Sequence, residues 1–179
     1  CSPHNPIGRV WSKEELEKLA NVCIKHNIII VSDEIHSDIT FKKFTPLASI
    51  SKEIANQTIT LNSAGKTFNI AGLNSAYAIS KNQKILDKFK KIAQKREIQS
   101  INFFGYVATK AAYDNGSLFV EELKKYLLSN IEFTKNYLKK NNSKIDFKPP
   151  EATYLLWLDF SRYNLSHNEI KNILLTKSK

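Results

Sequence analysis

Asn62-Ser63-Ala64-Gly65-Lys66-Thr67-Phe68-Asn69 is the stretch whose reading decides the fold. It follows a short β-branched run, Thr58-Ile59-Thr60-Leu61, and sets one lysine among small and hydroxylated side chains, where a phosphate and an aldehyde can both be held. Upstream, Ile28-Ile29-Ile30-Val31-Ser32 runs into Asp33-Glu34-Ile35-His36, an apolar strand that delivers a carboxylate and an imidazole at its carboxyl end. A carboxylate and a lysine at the ends of two buried strands suit pyridoxal phosphate (PLP), the lysine as covalent anchor and the carboxylate as partner of the pyridine nitrogen. Taken singly, each residue has a plainer reading. Composition alone makes Lys66 a surface lysine in a polar loop, and Asp33 a helix or turn cap.

Three motifs stand in order: Ser2-Pro3-His4-Asn5-Pro6-Ile7-Gly8-Arg9, Asp33-Glu34-Ile35-His36-Ser37-Asp38 and Ser63-Ala64-Gly65-Lys66-Thr67-Phe68-Asn69. With them the chain resembles the fold-type I PLP enzymes of aminotransferase class I/II, and more narrowly the MalY/PatB-type cystathionine β-lyases, or C-S lyases. The resemblance implies an α/β fold: an α/β/α large domain with a mostly parallel sheet, plus part of a smaller α+β C-terminal domain. Residues 1–116 would be part of the PLP-binding large domain, 117–141 a long interdomain helix, and 142–179 a truncated small domain. It also implies roles. Asn5 would hydrogen-bond the phenolic oxygen of PLP, Asp33 would pair with the pyridine nitrogen, and Ser63 would bind the phosphate. Lys66 would form the Schiff base and then remove the substrate Cα proton. His36 stands where many aminotransferases carry a tyrosine near the phenolic oxygen; it either bonds that oxygen or caps its loop. Glu34 is given no catalytic role and could be a structural ion-pair partner.

One departure matters. Eight residues after the lysine, where aminotransferases commonly carry a phosphate-clamping arginine, this chain has Asn74. C-S lyases of this type also tend to lack that arginine. The expected activity is therefore β-elimination on L-cystathionine or a related cysteine S-conjugate, giving a thiol, pyruvate and ammonia. An aminotransferase using the same site is the alternative within enzymes, and a regulatory protein-binding role the alternative outside them. The resemblance further implies a homodimer, and it puts the substrate-carboxylate arginine past Lys179, so Arg162 is not promoted to that role.

The 179 residues suffice for a sizeable core. No apolar run approaches the roughly eighteen residues of a membrane span, and the start carries no signal-peptide pattern, so a cytoplasmic location is expected. Cys1 and Cys23 are too few for a disulfide framework, and Cys23 falls on an apolar helix face. The net charge of +10 invites a nucleic-acid reading, but Lys84, Lys88, Lys91 and Lys95 stripe one helix opposite Ile85, Phe89 and Ile92. Solvated helix faces account for them, and no nucleic-acid module is visible. With no methionine and a start inside a loop, the chain reads as an excerpt of a longer enzyme.

Pro3 and Pro6 punctuate a loop over residues 1–11, in which Asn5-Pro6 alone is turn chemistry and Gly8 supplies a backbone conformation other residues avoid. Ser12 and Glu15 form a capping box for a helix over 12–26. The continuous apolar run 28–31 predicts a strand buried on both faces. Residues 41–54 read as a loop with a short turn of helix at 46–49, of a kind that often covers a site. A strand returns over 75–80, with helices over 82–97 and 102–114, the second stopped by Gly116. A long helix runs over 117–140, with Val120, Leu123, Leu127, Ile131 and Leu138 inward and Phe119, Tyr126 and Phe133 packed beside them. Asn141-Asn142-Ser143 marks the domain boundary. Strands follow at 145–147 and 154–158, residues 150–154 resemble a strand returning to the active site, and Ser166 with Glu169 opens a last capped helix.

Overall fold

The computed structural model describes residues 1–98, 102–142 and 144–177; Ser143 and Lys179, named above at the domain boundary and the chain end, lie outside them. Helix α1 (Lys13–Lys25) opens on the expected capping box: Ser12 Oγ accepts from the Glu15 amide and the Glu15 carboxylate accepts from the Ser12 amide. Its apolar side lies on strand β1 (Ile30–Asp33). Leu16, Ala20 and Ile30 join Leu47 and Ile54 in one buried cluster, with Cys23 packed against it.

β1 pairs in parallel with β2 (Thr58–Asn62), Ile30 opposite Thr58 and Asp33 opposite Leu61, while β3 (Tyr77–Ile79) runs antiparallel to β2. The parallel pairing is what brings Asp33 and Asn62 to the same end of the sheet. The run 28–31 is not buried on both faces. The strand begins at Ile30, and Val31 is 59% exposed, although its partner Ile59 on β2 is buried, so the Val31 face is covered at β2 but left open at β1. Alternation therefore rules: Ile30 and Ser32 turn inward.

The stretch 41–54 does not cover the site either. It holds a 3₁₀ turn, Leu47–Ser49, and the start of a helix the sequence did not announce, α2 (Lys52–Gln57), capped by Ser51. Leu47 and Ile54 carry both into the core beneath the sheet. Helices α3 (Ala64–Thr67), α4 (Gln83–Lys95), α5 (Phe103–Asn115) and α6 (Ser117–Asn141) follow. Asn82 and Asn102 cap α4 and α5. On α6 Ile131 is buried and Val120, Leu123, Leu127 and Leu138 are half-buried, as the spacing predicts. The aromatics beside them differ: Phe119 stacks on Phe68, but Tyr126 and Phe133 stand largely exposed instead of packed.

Beyond α6, β4 (Asp146–Phe147) pairs antiparallel with β5 (Leu158–Asp159), and α7 (His167–Thr176) opens on its capping box. Of the strand expected over 154–158 only Leu158 enters a ladder. Residues 150–154 do run back to the loop after β1. Glu151 N–H donates to Gly8 O, Phe41 N–H to Glu151 O, and Thr153 N–H to Ile39 O at 2.8 Å. Gly8 has φ +70°, and a Cβ there would stand 2.5 Å from Pro150 Cβ, so glycine meets both demands.

Candidate active site

The site grows from the carboxyl ends of β1 and β2, where parallel α/β sheets gather ligands. Ser63 follows β2 and caps α3, its Oγ accepting from the Gly65 amide at 2.9 Å. The same hydroxyl donates to the Ser75 carbonyl at 2.5 Å. A hydroxyl has one proton to give, so a phosphate would have to compete with that carbonyl for Ser63. Ser75, which the sequence reading passed over, accepts at its Oγ from Thr109 and keeps its own hydroxyl proton for another partner. Gly65 permits close packing: a Cβ would meet Ser63 Oγ at 3.0 Å and Ala71 Cα at 3.2 Å.

Two bonds tie the lysine turn to the loop after β1. Asn62 Nδ2 donates to Ser37 Oγ at 3.2 Å, and the buried Thr67 donates to Asp38 Oδ2 at 2.9 Å. Lys66 emerges half-buried into a cleft of about 290 Å³, lined also by Ile35, Ser63, Gly65, Asn74 and Ser75. Asn74 thus occupies the cleft wall that the sequence reading gave to an arginine in other enzymes.

Asp33 ends β1 with its Oδ1 accepting from the Ile35 amide at 3.1 Å. His36 is 2% exposed, and its Nδ1 is buried without a hydrogen-bond partner. Burial pushes the imidazole pKa down; the Asp33 charge opposes this and the Lys66 charge adds to it. The three groups therefore share one electrostatic neighbourhood. The ring of Tyr154 stands edge-on to His36, centroids 5.9 Å apart at 74°. No local signal in the sequence marks that contact.

Asn5 lies apart. It is exposed on a tight turn closed by His4 N–H to Arg9 O and Gly8 N–H to His4 O, and it does not line the cleft. The turn is nonetheless anchored at the site's edge, since Ser2 N–H donates to Asp33 O at 3.0 Å. Glu34 is buried and makes no ion pair among the described residues; its Oε1 accepts from Ser32 Oγ and the Leu47 amide. Arg162 pairs with Asp146, away from the cleft. Gly116 ends α5 as expected, with φ −90°. It is glycine because a Cβ would overlap the ring of Phe68, two residues from Lys66.

Among the described residues no cluster of His, Cys, Asp and Glu could hold a metal ion, and no helix is long and apolar enough to cross a membrane. The cleft itself offers the Lys66 amine and the Ser63 and Ser75 hydroxyls; the Asp33 carboxylate and the buried His36 imidazole stand behind its wall, on either side of Ile35, near enough for Asp33 and Lys66 to act on the imidazole. Such a set can hold an anionic, aldehyde-bearing pyridine.

The profile of the family described as aminotransferase class I and II matches residues 1–179. Cystathionine beta-lyase PatB of Bacillus subtilis (strain 168) is 40% identical over 181 residues, covering 100% of this chain and 47% of that protein. The crystal structure of cystalysin from Treponema denticola, which contains pyridoxal 5'-phosphate, superposes at TM-score 0.92 and 32% identity, over 99% of this chain and 45% of that one. The PLP-bound C-S lyase of Staphylococcus hominis superposes at TM-score 0.87 and 34% identity, over 97% and 45%. The chain spans about half the length of the curated relatives it matches.

Proposed function

The chain belongs to the aminotransferase class I and II family, and on that premise we propose that it forms the lysine-bearing part of a PLP-dependent carbon–sulfur β-lyase. Its substrate would be L-cystathionine or a related cysteine S-conjugate, and its products a thiol, pyruvate and ammonia. The observation that carries the reading is Lys66 opening into a cleft with the Ser63 and Ser75 hydroxyls, while its charge and that of Asp33 both act on the buried His36, whose Nδ1 has no hydrogen-bond partner among the described residues.

These residues fit the cofactor. The Asp33 carboxylate would keep the pyridine nitrogen protonated, and Lys66 Nζ would hold the aldehyde carbon. His36 Nδ1 would gain the partner it lacks at the phenolic oxygen, with Asn5 as a second partner if its turn reaches that oxygen. Ser63 would share the phosphate with Ser75, whose hydroxyl proton is uncommitted. When bound, PLP supplies an electron sink for charge developing at the substrate Cα. The protein's own chemistry would then be proton handling: Lys66 Nζ would take the proton from the substrate Cα, and the Asp33 carboxylate would partner the ring nitrogen. Burial keeps His36 neutral near pH 7, so it bonds an oxygen without adding a cation. Asn74 in place of an arginine, together with the relatives named as lyases, favours elimination over amino transfer. A homodimeric, cytoplasmic enzyme, with residues 1–116 in the large domain, 117–141 joining the domains and 142–179 in the small one, belongs to the same proposal.

The test uses the parent protein: add PLP, reduce with borohydride, and locate the pyridoxyl group by peptide mass spectrometry. The expected result is a pyridoxyl mass on Lys66, lost in Lys66→Ala, with pyruvate released from L-cystathionine in the absence of any keto acid. Removing the base should cost about 10²–10⁴-fold in rate. An adduct whose turnover requires a keto-acid acceptor makes the enzyme an aminotransferase. No adduct at Lys66 in folded protein overturns the reading and leaves the protein-binding alternative.

A further inference from the structure

His36 is held from the far end of the chain. Its imidazole is almost wholly buried, yet its own loop gives Nδ1 no partner, and the ring packed edge-on against it comes from Tyr154. Tyr154 is placed by the residues before it. Thr153 is fully buried with φ +71°, a conformation that a β-branched residue adopts only when its surroundings over-determine it. Those surroundings are visible. Thr153 N–H donates to Ile39 O at 2.8 Å, Thr40 and Ala152 form an isolated antiparallel bridge, and Thr153 Oγ accepts from the Leu155 amide at 3.2 Å. The segment is thus clamped onto the loop that carries His36. Tyr154 is 42% exposed and also borders a cavity of about 220 Å³ lined by Leu127, Asn130 and Ile131 of α6, and His36 is the aromatic ring it meets.

We propose that Tyr154 is a positioning residue: clamped through Thr153, its ring fixes the His36 imidazole so that the buried Nδ1 is presented to the oxygen of a bound pyridine cofactor. The inference rests on the PLP reading above. The ring acts, not the phenol, because the contact is ring against ring. Two charged groups act on the imidazole, Asp33 and Lys66; neither comes from the Tyr154 segment. Replacing Tyr154 therefore changes packing and solvent access at His36 without changing its charged neighbours.

The experiment follows the His36 ring nitrogens by NMR in the full-length, cofactor-free protein labelled with ¹⁵N-histidine, the signal assigned by its loss in His36→Gln. PLP retention is measured alongside. Tyr154→Phe should match wild type. Tyr154→Leu, which keeps bulk but removes the ring edge, should let water reach the imidazole and move its titration midpoint up towards the ordinary value of 6.5. PLP retention should fall roughly tenfold, the lower end of what losing a supporting partner costs a ligating histidine. Tyr154→Ala should do the same more strongly; if it does not fold, Tyr154→Leu decides. An unchanged His36 titration in the Leu variant overturns the proposal, as does a Phe variant as disturbed as Leu. Because the titration is read without cofactor, it stands or falls separately from the Lys66 adduct: no adduct with a Tyr154-dependent His36 would sink the enzyme reading and leave the contact intact.

Discussion

The polar end of the β1–β2 pair and the outer helices α5 and α6 are built on opposite lines. At the carboxyl ends of the strands buried polar groups are bonded, nearby or across the fold: Ser32 to Glu34, Ser63 to Ser75 O, Thr67 to Asp38. The buried side-chain atoms left over among the described residues are Ser2 Oγ, His4 Nδ1 and His36 Nδ1, all in the two segments that meet at the end of β1. On α5 and α6 the hydrogen bonding is closed but the apolar faces are open, with Phe103 and Phe104 above 70% exposed and Phe133 at 69%. A buried aromatic gains about 1.5–3 kcal/mol over an exposed one, and within this chain these helix faces do not draw on that gain, whereas the cluster under α1 does. The candidate site is thus fixed by directional bonds, some of them from distant segments, whereas the spacing on α5 and α6 fixes helices without fixing what their apolar faces meet.

The largest effect should come from testing that contrast directly. Leu16 is 5% exposed in the core cluster, and Leu16→Ala should cost about 2–5 kcal/mol. Tyr126, 64% exposed on α6, should change stability by no more than about 0.5 kcal/mol when replaced by Ala. Urea unfolding of the parent protein measures both. A Tyr126→Ala loss matching that of Leu16→Ala would show that the α6 face is covered in the parent, and the contrast would dissolve.

The same contrast explains what could be read from the sequence. Local chemistry was legible: both Ser/Glu capping boxes form, and the strand running into Lys66 is β2. Spacing located α4, α5 and α6 within a residue or two, yet spacing states only which residues share a face, not what covers it. Hence the inward stripe of α6 is found and the packing of Tyr126 is not. An apolar run without alternation cannot say how many of its faces are covered, so Val31 was misplaced. α2 escaped because six residues with only Ile54 and Ala55 buried give no period. At the site, the residue types around Lys66 were visible, but the Ser63 proton committed to Ser75 O and the edge of Tyr154 against His36 depend on long-range placement that no motif encodes.

A smaller effect separates two glycines near the lysine. At Gly116 an added Cβ would overlap the Phe68 ring and stand near Ala112 O, whereas at Gly72 it would meet nothing within 4 Å. Gly116→Ala should cost about 1–3 kcal/mol as Phe68 is displaced, lowering the melting temperature and weakening PLP retention at Lys66. Gly72→Ala should be neutral or stabilising by up to about 1 kcal/mol, since it restricts mainly the unfolded chain. Equal losses would mean that the approach of α6 to Phe68 is not what fixes the lysine turn.

The smallest effect concerns Glu34, the acid in the bonded region that the mechanism does not use. Burial raises its pKa above the ordinary 4.5, while the bonds from Ser32 Oγ and the Leu47 amide pull the other way without cancelling it. In the window between 4.5 and the raised value the folded state holds more protons than the unfolded one, so stability falls as pH rises. The Glu34 contribution is fully present below 4.5 and is lost as pH climbs through the folded value. Glu34→Gln keeps an oxygen able to accept both bonds, which converge on Oε1, and cannot ionise. Relative to wild type the variant should therefore gain stability between about pH 5 and about pH 8, by under roughly 1 kcal/mol for a carboxylate already bonded twice. Urea midpoints at the two pH values read the change. If the variant is weaker by the same amount at both, the buried charge is not being paid for here, and Glu34 belongs with the neutral bonded groups around it.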